Sequence, residues 1–279
     1  MKLSASTLGC PDWTLDQILA RFKAYGYDGV ELRGIGPDLD LTQSAHFATP
    51  GALEKTRQNF LDAGLEICCV DASARFTDAD AGERAKHAEE ARRAIDLAVA
   101  LGAHLVRVFG GAIPEGGSRA VSQGFLVENL RALGDYARSA GGNVSVVLET
   151  HDAFSTGAQV ADALAQVDHP AVGALWDLHH PFRAGEFPAE TFAALSPYVK
   201  LTHAKDSRPG GTYCLLGEGD VPVREMLALL HTGGYDGYVS VEWEKRWIPE
   251  LDDPQEALPQ YATTLRRYLS ELPHEHKSS

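Results

Sequence analysis

The chain contains four apolar runs: VSVVLETH at residues 144–151, VGALWDLHH at 172–180, VKLTHAKD at 199–206 and YVSVEWEK at 238–245. Each run has the composition of a buried β-strand, and each ends near a side chain that can bind a metal ion. A charged group at the end of a buried strand costs free energy unless something pairs with it. Four such groups on consecutive strands indicate one shared partner, and the residues concerned are Glu149, Asp177, His203 and Glu242.

These four side chains predict a metal site. Two Glu, one Asp and one His suit a divalent cation that prefers oxygen ligands, such as Mn²⁺, Mg²⁺ or Co²⁺. Each residue taken alone has an ordinary explanation as a helix cap, a turn residue, a surface charge or a buried histidine. Glu244 also shares a strand face with Glu242 and competes for its role. The prediction therefore depends on the order of all four along successive strands.

Apolar strand-like runs alternate with helix-like runs along the whole chain, which predicts parallel strands joined by crossover helices. The candidate strands are 3–8, 29–33, 66–72, 104–110, 144–151, 172–177, 199–204 and 238–243. An open doubly wound sheet is the alternative, but its strand ends would spread apart by about 4.8 Å per strand. A closed barrel brings every carboxyl end to one mouth. We therefore expect an α/β fold, a single-domain (β/α)8 TIM barrel over residues 1–272, followed by a polar tail at 273–279.

Several helix boundaries are also readable. Thr14 is expected to cap a first helix, and Thr49 with Pro50 supplies a cap and a first-turn proline for the second. A long helical segment should stop near Gly102. Asp220 is expected to cap a helix that opens at Pro222.

Composition limits the class of protein. The chain has 279 residues, 44% of them hydrophobic and 23% charged, which is typical of a globular protein. No apolar stretch approaches the roughly 20 residues that span a membrane, and the first residues lack a secretory apolar region. The formal charge of −14 disfavours a nucleic-acid partner but leaves a small anionic substrate open. We expect a cytoplasmic protein with a small-molecule, sugar-like substrate and no membrane partner.

Side chains next to the predicted ligands are candidates for substrate binding. His180 follows Asp177 by three, a spacing that can turn its ring toward the same mouth. Lys205 follows His203 by two and should share its strand face. Arg208 lies in the loop beyond and could hold a hydroxyl, carboxylate or phosphate group.

One candidate lies in the first half of the chain. Glu31 and Arg33 occur in the segment GVELRG, where a spacing of two places both on one face of a strand. Either they form an internal ion pair near the mouth, or Arg33 contacts the substrate.

The motifs together resemble the xylose isomerase-like TIM-barrel superfamily, in the broad group of sugar phosphate isomerases and epimerases. The resemblance covers nearly the whole chain. It is carried by STLGCPDWTLDQILARFKAYGYDGVELR at 6–33, WDLHH at 176–180, HAKD at 203–206 and LGEGDVPVREMLALLHTGGYDGYVSVEWE at 216–244. The motifs of the second half are specific to the superfamily but not to one reaction.

The resemblance implies that the four predicted ligands hold a single divalent metal at the barrel mouth. In ketose 3-epimerases of this group, the residues that match Glu149 and Glu242 also move the proton. His180 matches the substrate-binding histidine of the family, and Arg208 lies near the position of a family arginine. The form HAKD is more similar to the inosose dehydratase branch.

The expected function is therefore a metal-dependent isomerase or epimerase that acts through an enediolate on a sugar or sugar derivative. A metal-dependent dehydratase of the inosose or dehydroshikimate type is the alternative, because the same enolate can expel a β-hydroxyl group. An endonuclease for abasic DNA would need further histidine ligands and is disfavoured by the net charge. A non-catalytic barrel is disfavoured by the intact ligand set. The resemblance leaves the substrate, its phosphorylation and a homo-oligomer open.

Overall fold

Eight parallel strands close into a barrel. A computed structural model of the chain describes residues 1–273. The barrel strands are β1 (Lys2–Ser6), β2 (Gly29–Leu32), β3 (Glu66–Asp71), β4 (Leu105–Val108), β5 (Ser145–Glu149), β6 (Val172–Asp177), β7 (Val199–Ala204) and β10 (Tyr238–Val241). Each pairs with its predecessor and successor, and β1 pairs with both β2 and β10. The predicted (β/α)8 barrel is confirmed, and the carboxyl ends of all eight strands meet at one mouth.

Helices follow the strands on the outside of the barrel. They are α1 (Leu15–Tyr25), α2 (Pro50–Ala63), α3 (Ala81–Leu101), α4 (Arg119–Ser139), α5 (Gly157–Val167), α6 (His180–Arg183), α7 (Pro188–Leu195), α8 (Val223–Thr232) and α9 (Pro254–Ser270). Thr14 and Thr49 cap α1 and α2 as expected, and Gly102 ends α3 in the left-handed conformation. The predicted cap at Asp220 is wrong, because Pro222 is the N-cap residue of α8 and the Asp220 carboxylate pairs with Arg183 instead.

The inner face of the barrel changes from apolar to polar along the strands. Val147, Leu175 and Leu201 are fully buried and pack together with Cys69 in one cluster inside the barrel. Because alternate residues of a strand share a face, the residues two positions further on point the same way at the mouth. Those residues are Glu149, Asp177 and His203. The apolar cluster therefore forms a floor beneath the polar residues.

A short antiparallel hairpin follows β7, formed by β8 (Asp206–Ser207) and β9 (Tyr213–Cys214). The buried Asp206 carboxylate holds it in place by accepting backbone N–H groups from Gly217, Gly219 and Val221. A Cβ atom at Gly219 would lie 2.1 Å from an Asp206 carboxylate oxygen, so this approach requires glycine. The sequence GEGD is thus the segment that wraps around Asp206 and fixes the chain next to Lys205.

The predicted polar tail at 273–279 lies, apart from its first residue, outside the described residues. Within residues 1–273, no helix combines the length and the apolar composition required to cross a bilayer.

Candidate metal centre

The four predicted ligands converge at the barrel mouth. One ligand atom from each of Glu149, Asp177, His203 and Glu242 lies within 4.8 Å of the others, and all four residues are buried. Asp177 and His203 are paired in the strand register, and Glu242 stands two residues beyond the Ser240 that pairs with His203. The closed barrel brings side chains of four strands to one point.

His203 presents one ring nitrogen to all three carboxylates. Its Nδ1 lies 3.2 Å from Glu242 Oε2, 3.6 Å from Glu149 Oε1 and 3.7 Å from Asp177 Oδ2. Within residues 1–273 this buried nitrogen has no hydrogen-bond partner. The ring is therefore oriented to offer Nδ1 as a ligand in the middle of an oxygen cluster.

Glu31 holds the other ring nitrogen of His203. The distance from His203 Nε2 to Glu31 Oε1 is 2.8 Å, and Ser240 Oγ donates to the second Glu31 oxygen. A carboxylate on the far nitrogen is the usual outer partner of a metal-binding histidine, because it fixes the tautomer and the ring angle. The expected alternative of a Glu31–Arg33 ion pair is wrong, since His203 and Ser240 occupy both Glu31 oxygens.

The donor set fits a divalent cation. Three buried carboxylates repel one another at these distances unless positive charge lies between them. Glu149 Oε2 is buried without a hydrogen-bond partner among the described residues, as is His203 Nδ1. Three oxygen donors with one imidazole nitrogen suit Mn²⁺, Mg²⁺, Co²⁺ or Zn²⁺. Glu149, Asp177, His203 and Glu242 could therefore hold one such ion.

Lys205 extends into the same cluster. Its Nζ lies 2.5 Å from Glu242 Oε2, 2.9 Å from Asp177 Oδ2 and 2.9 Å from Glu244 Oε1, and its side chain is 1% exposed. Burial opposes ionisation of Asp177, but the charge of Lys205 holds the pKa of that carboxyl well below its usual range. Burial likewise opposes ionisation of Glu242, and His203 and Lys205 hold its pKa well below the ordinary value. Both carboxylates therefore stay ionised at neutral pH.

His180 lies at the mouth as the D-x-x-H spacing predicts. Asp177 Oδ1 accepts the backbone N–H groups of His179 and His180, at 2.7 and 3.0 Å, and so turns the chain directly after β6. The His180 ring packs edge-on against the ring of His151, with centroids 4.7 Å apart. Burial lowers the pKa of His180, which keeps its imidazole neutral at pH 7.

Sequence reasoning missed His151. Together with Glu149 and His180 it forms a second group whose ligand atoms lie within 4.8 Å of one another. Burial opposes protonation of His151, but Asp152, whose carboxylate lies 3.0 Å from Nδ1, raises its pKa. The spacing E-x-H was the available signal, because it places His151 on the strand face of Glu149.

The two arginines predicted to bind substrate lie in different surroundings. Arg33 is buried near the mouth and donates to Ser73 Oγ at 2.8 Å. The Arg208 side chain is 55% exposed and pairs with Glu218 at 2.8 Å, on the outer hairpin. The structure therefore brings Arg33, but not Arg208, close to the carboxylate cluster.

Known proteins with similar sequences include both lyases and isomerases. A 3-dehydroshikimate dehydratase of Pseudomonas putida is 27% identical over 243 residues, which cover 82% of this chain and 36% of the relative. A fructoselysine 3-epimerase of Escherichia coli O157:H7 is 29% identical over 133 residues, which cover 46% of this chain and 48% of that protein. The matched segments thus cover less than half the length of each of these two relatives.

Solved structures and a family model agree on the fold. A crystal structure of the IolI protein with a zinc atom superposes with a TM-score of 0.82 at 18% identity, covering 99% of this chain and 100% of that one. The family model for the xylose isomerase-like TIM barrel matches residues 19–268. With a match over that much of its length, the chain belongs to the xylose isomerase-like TIM-barrel family.

Proposed function

We propose that this protein is a divalent-metal-dependent enzyme that removes a proton next to a carbonyl group of a sugar-like polyhydroxy compound and then expels water. The convergence of Glu149, Asp177, His203 and Glu242 within 4.8 Å supports the metal and the proton removal. When bound there, a divalent ion would polarise the carbonyl group and so acidify the neighbouring C–H bond. The isomerase or epimerase expected from the sequence requires the same first step.

The contacts of Lys205 carry the preference for water loss. An epimerase needs a second acid on the opposite face of the substrate to return the proton. Glu242 is the candidate for that role, but its carboxylate forms an ion pair with Lys205, whose Nζ lies 2.5 Å from Glu242 Oε2. A carboxylate held in its ionised form is a poor proton donor. The return of the proton, which is the second step of an epimerisation, is therefore disfavoured.

His151 at the mouth supplies the acid that a dehydratase needs. In the proposed reaction, Glu149 takes the proton, and the C–H electron pair becomes part of an enolate. The enolate electrons then form a C=C bond as the β-carbon–oxygen bond breaks. The protonated form of His151, which the nearby Asp152 carboxylate favours, gives its proton to the departing hydroxyl, which leaves as water. The proton held by Glu149 passes to solvent and His151 is reprotonated, so the net change is the loss of one water molecule.

An epimerase remains the second candidate because of the positions of Glu149 and Glu242. They come from β5 and β10, which are separated in the barrel by β6 and β7, and both face His203 Nδ1. A substrate between them would have a carboxylate on each side. The match to a 3-epimerase over part of the chain supports this candidate as well.

Turnover in D₂O separates the two candidates. The Mn²⁺-loaded protein is incubated with 3-dehydroshikimate, a keto-inositol or D-fructose, and products are analysed by absorbance and mass spectrometry. Loss of water with a new conjugated absorbance supports dehydration. Deuterium next to the carbonyl with inversion and no water loss supports the epimerase. The Glu149→Gln variant should lose either activity by about 10²-fold or more, whereas Glu66→Gln, on the exposed end of β3, should keep it. Absence of both reactions with all three compounds would contradict the proposal.

A further inference from the structure

Two buried arginines stand on one side of the mouth, away from Lys205. Arg107 pairs with Asp71 in the register of β3 and β4, and Leu32 pairs with Val70 in that of β2 and β3. Arg33, the residue after Leu32, is therefore level with Asp71 and Arg107. Neighbouring strands lie about 4.8 Å apart, which places the two arginine backbones roughly 10 Å from each other.

Arg107 uses only part of its hydrogen-bonding capacity. Its Nη2 donates to Asp71 Oδ2 at 3.1 Å, and its Nε lies 3.4 Å from Glu149 Oε2. The guanidinium also stacks 4.0 Å from the ring centre of Phe109. Its Nε and Nη1 are buried and have no hydrogen-bond acceptor among residues 1–273. A donor-only group of this kind is costly to bury unless an acceptor reaches it.

Arg33 has still fewer partners. It is 6% exposed, its one side-chain hydrogen bond in the described part of the chain goes to the neutral Ser73 hydroxyl, and Nη1 is buried without an acceptor. No carboxylate lies within 4.0 Å of its nitrogens in that part. Burial and the nearby charge of Arg107 lower its pKa to about 10, so Arg33 is still a cation at neutral pH. Asp71, Glu242 and Glu149 act on the Arg33 charge from beyond contact distance. A buried cation that no carboxylate contacts directly indicates that a contacting counter-charge arrives with a ligand.

We propose that Arg33 and Arg107 together bind a carboxylate group of the substrate. This inference rests on the proposed function and narrows its substrate to hydroxy-carbonyl acids. A guanidinium presents two parallel donors that match the two oxygens of a carboxylate. A phosphate dianion fits less well, because Asp71 and Glu149 already contact Arg107 and would repel a second negative charge more strongly. Oxygens of a neutral sugar can accept hydrogen bonds from these donors, but they bring no negative charge to the two cations.

Calorimetric binding to the Mn²⁺-loaded protein tests the proposal with three probes. 3,4-Dihydroxybenzoate carries adjacent oxygens and a carboxylate, 3,4-dihydroxybenzamide replaces only the carboxylate by a neutral amide, and dihydroxyacetone phosphate carries a phosphate. Wild-type protein should bind the benzoate about 10- to 100-fold more tightly than the benzamide, as expected for charged hydrogen bonds.

Variants at Arg33 test whether this residue causes the difference in affinity between the benzoate and the benzamide. Arg107 is left intact because it contacts Glu149. Arg33→Met should remove most of the preference for the benzoate, with Arg107 keeping the rest, while benzamide binding and the thermal unfolding temperature stay near the wild-type values. Arg33→Lys should keep part of the preference for the benzoate, because the positive charge remains while the parallel N–H donors of the guanidinium are lost. Arg224→Met, which removes an arginine that is 64% exposed on α8, should bind all three probes as the wild type does.

Several outcomes would overturn the carboxylate site. The wild type could bind the benzoate and the benzamide with equal affinity, or bind neither. The Arg33→Met variant could lose affinity for both of these probes equally. The wild type could also bind the phosphate most tightly, with that affinity lost in Arg33→Met. Turnover in D₂O is measured separately. If the protein turns over a substrate but does not prefer the benzoate, this inference fails and the proposed function stands. If the protein prefers the benzoate but shows no turnover, the proposed function fails and the carboxylate site stands.

Discussion

Replacing Glu31 by Gln is expected to weaken metal binding about tenfold. The His203 Nε2 to Glu31 Oε1 contact is 2.8 Å long and both side chains are fully buried. A hydrogen bond to a charged group contributes about 1.5–3 kcal/mol and a neutral one about 0.5–1.5 kcal/mol. The exchange of carboxylate for amide therefore costs about 1–2 kcal/mol, which is roughly 5- to 30-fold in affinity. Loss of an outer carboxylate partner typically has an effect of this size.

Titration with Co²⁺ measures this affinity directly. The visible absorption of the bound ion reports its ligands, and competition with a chelator of known affinity gives the dissociation constant. Ser240→Ala keeps the Glu31 charge and removes one of its hydrogen bonds, so its loss should be smaller. Glu66→Gln is the matched control, because Glu66 pairs with Lys2 on the surface. Wild-type affinity in a folded Glu31→Gln protein would refute the positioning role of Glu31.

Three further results are expected. Lys205→Met should bind divalent metal at least as tightly as wild type in the Co²⁺ titration, because it removes a cation 2.5–2.9 Å from two ligand oxygens. Weaker metal binding would contradict the geometry. Asp206→Asn should lower the free energy of unfolding in urea by about 2–4 kcal/mol, because three backbone N–H groups lose an ionised acceptor; an unchanged midpoint would show that the hairpin does not depend on this carboxylate. Burial lowers the pKa of His179 from 6.5 to about 4, so the contribution of the neutral His179 ring to stability is fully present above pH 6.5 and is lost as the pH falls toward 4. In the metal-free protein this loss is about 3 kcal/mol. Urea unfolding of His179→Gln, measured at both ends of this pH range, should show a correspondingly smaller pH dependence than the wild type.

The strands and the mouth cluster were predictable because both depend on local pattern. A buried parallel strand is a short apolar run, and the position of the first charged residue after it gives the carboxyl end. Two of the eight strands, 172–177 and 199–204, have the predicted limits, and the others differ by one or more residues at one or both ends. Barrel closure then brings Glu149, Asp177, His203 and Glu242 together without further information.

Contacts between distant strands were not predictable in the same way. The sequence places Glu31 and Arg33 on one strand face, which suggested that they pair with each other. The closed barrel instead brings Glu31 to His203 and Ser240, and leaves Arg33 with Ser73. Nothing in the local sequence encodes a partner on another strand. His151 is a different case, since its spacing of two from Glu149 is a local pattern that places both side chains on one strand face.

Arg208 illustrates the limit of a resemblance for loop residues. The substrate-binding role of Arg208 stays a prediction. It rests on the place of Arg208 in the sequence, near the position of an arginine in the family. In the structure its side chain pairs with Glu218 on the hairpin, which is fixed by Asp206. The direction of a side chain in a hairpin depends on the turn and on the anchoring contacts, and neither follows from strand periodicity.

The contact of Glu31 with His203 and Ser240 has a consequence for biosynthesis. Glu31 is separated from His203 by 172 residues and from Ser240 by 209. A ribosome makes the chain from the amino end, so most of the chain is synthesised after Glu31 and before its partners His203 and Ser240 are in place. The ordered His203 ligand can form only after the eighth strand has emerged and joined the first. The cluster of four possible metal ligands is therefore completed late in synthesis, because Glu242 follows the last strand, and a nascent chain truncated before β10 would lack it.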